Sequence, residues 1–181
     1  VTSRTSAEET DESIIMMTQR GLVKRGTRLC GVALSVLGGC VSLSATPSEL
    51  HTSGNQILNA SNQRVRLVGV NVPSLVWSST GENLTESLIE TVDSWHSNII
   101  RLGVDETLWL NGGSYLSTID DFIDLASMNN AYVLLDLHEF GQPTSGAVTF
   151  WTQAATRYKN NPAVIFGLFN EPHDISWAAW Q

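Results

Sequence analysis

The chain has 181 residues, 42% of them hydrophobic, which suits one ordinary globular domain with a real core. A net charge of −8 and a pI of about 4.8 argue against nucleic acid or an anionic membrane surface as partner, because both reward basic patches. The same balance suits a neutral polysaccharide without singling one out.

Residues Val1 to Ile15 carry Glu8, Glu9, Asp11 and Glu12 ahead of Met16 and Met17, which no export signal needs, and read as an extension of the frame before the true start. From Met17 a basic segment with Arg20, Lys24, Arg25 and Arg28 leads into an apolar, glycine-broken stretch from Leu29 to Leu43 and then small Ser44 and Ala45. That is the order of a secretory signal peptide. A retained membrane anchor is the alternative, and the apolar stretch is short for it. Both cysteines, Cys30 and Cys40, fall here, so the exported domain would have no disulfide. Leu37-Gly38-Gly39-Cys40 resembles a bacterial lipobox, whose cysteine is lipidated, and an ordinary signal core is an equal reading. Residues 1–45 are therefore expected to be a leader and 46–181 the functional domain. The protein is expected to be secreted, or lipid-anchored at the cell surface through Cys40, its one expected attachment to a membrane.

After Thr46, strand and helix signals alternate. Gln56-Ile57-Leu58 and Val65 to Val70 flank a turn at Asn59-Ala60-Ser61-Asn62 and predict a hairpin feeding the first core strand. Asn83 with Glu86 suggests a capping box, followed by Leu84, Leu88, Val92 and Trp95 at helical spacing, so a helix is expected over about Leu84 to Ser97. Asn98 to Val104 is a buried strand containing Arg101, and a charge there needs a partner or a site. A structural ion pair and a functional role both meet that need. Ile119, Phe122, Ile123 and Ala126 give the next helix its apolar face, and Ala131 to His138 is a third strand with a histidine at its carboxyl end. Val148, Trp151, Ala155 and Tyr158 mark a third helix, broken at Asn160-Asn161-Pro162.

The run Ala163 to Phe169 is bounded by Pro162 and Pro172 and predicts a strand buried on both faces of a parallel sheet. Pro172 has no N–H for a ladder, so Glu171 is held at the strand's carboxyl end. Buried against Phe166, Leu168 and Phe169, its carboxyl would titrate high enough to act as a general acid. A helix cap or solvated loop residue is the plainer alternative for such a glutamate. Repeated βα units with polar residues ending successive strands, Asn71, Arg101 nearby, His138 and Glu171, predict an α/β fold of the (β/α)8 TIM-barrel type. A doubly wound sheet is the rival, but no Gly-x-Gly-x-x-Gly turn follows the first strand.

The stretch Asn161 to His173, with Asn170-Glu171-Pro172 at its centre, closely resembles the acid/base strand of glycoside hydrolase family 5, the cellulase and mannanase family. Gly69-Val70-Asn71 after a covering ribbon, and Leu135-Asp136-Leu137-His138, resemble that family's opening and third-strand motifs. The resemblance implies a retaining glycosidase acting on a β-linked polysaccharide, cellulase- or endoglucanase-like, without metal or other cofactor. It makes Glu171 the catalytic acid/base. Asn170 would bind the sugar 2-hydroxyl, Arg101 would keep the nucleophile ionised, and His138 and Asn71 would line the substrate site. Trp77, Trp109, Trp177 and Trp180 follow core strands, where they could stack on sugar or pack, whereas Trp95 and Trp151 are expected in the core. A non-catalytic carbohydrate-binding or scaffold protein on the same barrel is the alternative function.

Four strands cannot close an eight-stranded barrel, so the chain is expected to be a barrel truncated after about its fourth strand, lacking the nucleophile and inactive alone. Activity of the chain by itself would require a second carboxylate, such as Glu139, as nucleophile.

Overall fold

A computed structural model describes residues 46–180, and the expectations for the leader, Cys30 and Cys40 included, lie outside them. The described chain opens with β1 (Leu50–Ser53) and β2 (Gln56–Asn59), antiparallel about Gly54, whose φ of +59° suits glycine. The turn expected after Asn59 also forms, with Asn59 Oδ1 accepting the amides of Ser61 (3.0 Å) and Gln63 (2.9 Å). The chain then returns along β2 only as far as a single bridge between Leu58 and Arg64. A first hairpin is therefore made by residues 50–59, and the expected one forms as a short antiparallel return, the Asn59 N–H donating to the Gln63 carbonyl (2.9 Å) and the Val65 N–H to the Ile57 carbonyl (2.9 Å).

Onward the order is β3 (Gly69–Val72), α1 (Leu84–Ile89), β4 (Ile99–Val104), α2 (Glu106–Asn111), α3 (Ser114–Met128), β5 (Tyr132–Leu137), β6 (Phe140–Gly141), α4 (Ser145–Tyr158), β7 (Val164–Gly167), β8 (Glu171–Pro172) and α5 (Trp177–Trp180). β3 starts later than its apolar run suggests because a side chain replaces the ladder beneath it. Asn98 Oδ1 accepts the Val68 N–H (2.8 Å), its Nδ2 donates to the Arg66 carbonyl (2.8 Å), and its own N–H donates to the Val68 carbonyl (2.9 Å).

β3, β4, β5 and β7 form one parallel sheet in chain order. A doubly wound sheet reverses direction at its switch point, whereas strictly sequential neighbours build a barrel wall. Along β4 and β5 the alternate residues Ile100, Leu102, Val104, Val133, Leu135 and Leu137 are fully buried with Ile119, Phe122, Ile123 and Ala126 of α3. The opposite parity carries the polar set: Asn71 is level with Arg101, and Asp136 is level with Gly103 and Gly167. β7 was expected to be buried on both faces, but it is half-buried throughout and Leu168 is 63% exposed. Among the described residues it pairs with β5 alone, which leaves its other edge open.

Three helix expectations change. Asn83 lies in the left-handed region (φ 49°) and makes no side-chain cap bond, so the capping box does not form. α1 gives way after Ile89 to a wider π turn over Glu90–Ser94, which shifts the helical phase and leaves Trp95 60% exposed instead of in the core. α4 buries Tyr158 as expected, but with Ala147, Phe150 and Ala154 in place of Val148 and Ala155, and Val148 is exposed. The cause is α2, too short for periodicity to reveal: it places Trp109 in the core, its ring 4.6 Å from that of Phe150. Trp151 remains half-buried against Phe150 and Phe166.

Candidate active site

Arg101 stands at the centre of the polar face. Its Nη2 donates to Asn170 Oδ1 at 2.6 Å and to Asp136 Oδ2 at 2.7 Å, and its Nη1 approaches Asn71 Oδ1 at 3.4 Å. Asp136 is buried, 3% exposed, and also meets His138 Nδ1 at 2.9 Å. A guanidinium NH2 has two protons, and the two shorter bonds use them, so the 3.5 Å approach of Nη2 to His138 Nδ1 is not a third bond. The consistent assignment has Nδ1–H donating to Asp136, which leaves Nε2 as the ring's acceptor. Because Arg101 only donates, Asn170 must turn its oxygen towards it, and the Asn170 NH2 is left for another acceptor.

Backbone economy makes room for this cluster. A side chain on Gly103 would lie 3.3 Å from His138 Nδ1, and one on Gly167 would lie 3.1 Å from Asp136 Oδ1. Asp136 is thus flanked by glycine on both neighbouring strands. Sequence reasoning quoted Asp136 within a motif but gave it no role. Its signal was the same as that of Arg101: a lone charge in a buried strand, opposite in sign to one on the adjacent strand.

The other expected residues sit at the rim. Glu171 is exposed, so the expected burial against Phe166, Leu168 and Phe169 is absent. The run turns away after Gly167, where Leu168 is exposed and the Leu168 carbonyl accepts from Trp151 Nε1 at 2.7 Å. Trp77 follows β3 and is 61% exposed, its Nε1 donating to Glu82 at 3.3 Å. Trp177 is 80% exposed, and Trp180 packs edge-on to Phe169. Behind the rim, the Tyr115 hydroxyl donates to the Leu75 carbonyl (2.7 Å) and accepts the Asp105 N–H (2.9 Å), joining the segments that follow β3 and β4. Burial pushes the pKa of that hydroxyl up.

A cavity of about 770 Å³ lies at the amino-terminal end of the strands, away from the charged cluster, lined by Leu50, Leu67, Pro162 and Val164 with His51 and Lys159. We place the site at the cluster because its polar groups are hydrogen-bonded to one another at the carboxyl ends of the parallel strands, where folds of this kind carry their chemistry. Among the described residues no group of three or more histidines, cysteines or carboxylates is placed to hold a metal ion, and no helix is long and apolar enough to cross a membrane.

The model of the cellulase family, glycosyl hydrolase family 5, matches residues 58–181. Endoglucanase MaCel5A of Microbulbifer sp. (strain ALW1) is 29% identical over 150 residues, which are 76% of this chain and 28% of the relative. The β-glucanase SdGluc5_26A from Saccharophagus degradans, solved in complex with cellotetraose, is 28% identical with a TM-score of 0.62 over 76% of this chain and 48% of its own. The catalytic domain of Thermobifida fusca endoglucanase Cel5A, 23% identical with a TM-score of 0.58 over 72% of this chain and 45% of its own, shares the fold. The four-stranded sheet is accordingly part of a (β/α)8 barrel wall. The chain spans about a third of the length of the curated relatives it matches.

Proposed function

This chain belongs to glycosyl hydrolase family 5, and from that premise we propose that it serves the hydrolysis of a β-linked glucan, with Glu171 as acid/base of a retaining mechanism. The observation that carries the reading is the convergence of Asn71, Arg101, Asp136, His138 and Asn170 at the carboxyl ends of consecutive parallel strands, next to Glu171. Cellotetraose in the β-glucanase relative supports a β-linked glucose polymer as substrate.

In this scheme Glu171 protonates the leaving oxygen and then deprotonates the water that releases the product. The Asn170 NH2, its direction set by Arg101, donates to the 2-hydroxyl of the sugar being cleaved, a contact that strengthens in the transition state. His138 Nε2 accepts from a substrate hydroxyl, and Trp77 offers a face for stacking. The nucleophile, needed about 5–5.5 Å from the acid, is assigned to a strand outside the four-stranded sheet, where the Arg101 cation would favour its ionised form. A polymeric substrate also supports export, by signal-peptide cleavage or by lipidation at Cys40. Mass spectrometry of the mature N-terminus distinguishes the two, and an intact Met17 on a cytoplasmic product would overturn export.

The test is Glu171→Gln in the protein expressed from its complete reading frame. Hydrolysis of unactivated glucan should fall by about 10²–10⁴-fold, while glycosylation by activated aryl glycosides, whose leaving group needs no proton, is largely spared. Equal loss on both substrates would remove Glu171 from the acid role. Glucan binding without turnover under any condition would favour a carbohydrate-binding protein.

A further inference from the structure

We propose that Glu139 is a positioning residue for Glu171, a task different from the nucleophilic one that its place just past β5 invites. The proposal rests on Glu171 acting as the acid/base. β7 ends at Gly167, and the last tie to the main sheet is the Asn170 N–H donating to the Leu137 carbonyl of β5 (2.9 Å), one residue short of the exposed Glu171. Its backbone is held instead by a second ladder of two rungs. β6 and β8 pair in parallel, Phe140 opposite Glu171 and Gly141 opposite Pro172, with the Glu171 N–H donating to the Glu139 carbonyl (3.1 Å) and the His173 N–H to the Gly141 carbonyl (3.1 Å).

Two rungs at a solvent-facing rim are too few to hold themselves, since short isolated strand pairs are marginal in water. The segment that carries them is tied down by residue 106. Glu139 Oε1 accepts the Glu106 N–H at 3.0 Å, and the Glu106 carboxylate accepts the Thr144 hydroxyl at 3.3 Å, so one residue at the start of α2 secures both ends of the stretch 139–144. The second tie is closely packed, because a side chain on Gly146 would run into the Glu106 carboxylate. α2 is itself fixed, capped by Asp105 Oδ1 on the Leu108 N–H (2.7 Å) and rooted in the core through Trp109. Restraint thus passes from the core through α2 to the half-buried Glu139, and from the Glu139 carbonyl to the backbone of the acid.

The test compares Glu139→Ala with Glu139→Gln, whose amide oxygen can still accept the Glu106 N–H. In Glu139→Ala, hydrogen exchange at the Glu106 and Glu171 amides should accelerate while the Leu102 and Leu135 amides keep their protection. In the protein from its complete reading frame, kcat on unactivated glucan should fall about 10- to 100-fold, with KM and the turnover of activated aryl glycosides little changed. Glu139→Gln should recover both readouts. A Glu171 amide as protected in Glu139→Ala as in the parent, or equal loss on both substrates, would overturn the proposal. Glu171→Gln is run beside these variants. If it shows no leaving-group dependence, the acid assignment fails, and the exchange data still decide whether Glu139 holds residue 171.

Discussion

Arg157 and Arg101 are each paired with an aspartate, yet the first pair is a two-point tie to one carboxylate and the second is shared. Arg157 of α4 spends its fork on Asp120 of α3, Nε to one carboxylate oxygen at 2.7 Å and Nη2 to the other, and the Tyr158 hydroxyl donates to the same carboxylate at 2.7 Å. That is a bidentate tie between two helices. Arg101 divides one nitrogen between Asp136 and Asn170 and reaches Asn71 only at 3.4 Å, so its second nitrogen keeps donor capacity in reserve. Exposure differs as well: the Asp136 side chain is 5% exposed and that of Asp120 31%. A tie between helices turns the fork onto one carboxylate, whereas the cluster on strand ends shares one guanidinium among several partners.

The contrast is broken most sharply by Asp136→Ala, which strands a cation against a buried wall and should cost about 3–5 kcal/mol in urea denaturation. A loss under about 1 kcal/mol would mean that Arg101 turns to water and that Asp136 is no anchor. Asp120→Asn removes a pair that water already screens, and its cost should be about 1 kcal/mol or less by the same assay. A larger loss would make the helix tie as central as the strand cluster.

The smallest effect is the pH dependence of that second cost. Burial alone would raise the Asp120 pKa, but hydrogen bonds from Arg157 and Tyr158, together with the Arg157 charge, outweigh it and hold the carboxyl below its ordinary 3.8. The folded form then gives up its proton more readily than the unfolded chain. The contribution is complete above pH 3.8 and is lost as pH falls through the lower folded value. The stability gap between parent and Asp120→Asn should therefore narrow in acid. A gap undiminished at about pH 2 would assign it to packing instead.

The strands were the most legible part of the chain, because Ile99 to Val104 and Tyr132 to Leu137 are apolar runs bounded by asparagine or histidine and need no partner to be recognised. Asn71, Arg101 and His138 were legible as polar residues at or near strand ends and Asn170 through the family resemblance, and the structure gathers all four. What stayed hidden depends on pairing across strands or between helices. Asp136 needed the register that sets it between Gly103 and Gly167, and Trp109 needed a helix of six residues. The α4 face was misjudged because Val148 is more apolar by type than Ala147, while Phe150 fixes the rotation by docking on Trp109. Glu171 was expected at the end of a buried strand, but β7 stops at Gly167 and Glu171 falls in a separate exposed ladder, because burial and length of a strand depend on what lies on both sides of it.

Asn98 carries a consequence for the fidelity of folding. With its amide standing in for a strand residue opposite Arg66 and Val68, this side chain sets the alignment of β3 on β4 before the ladder proper begins. A slip by one residue would turn Asn71 to the helix-facing side and bring Val70 or Val72 against Arg101. Gly69 adds to the choice, because a side chain at its place would run into the Ile99 carbonyl. Choice between the right and the wrong alignment is therefore made at the foot of the sheet, roughly 10 Å below the guanidinium it protects, by a residue that never meets the substrate.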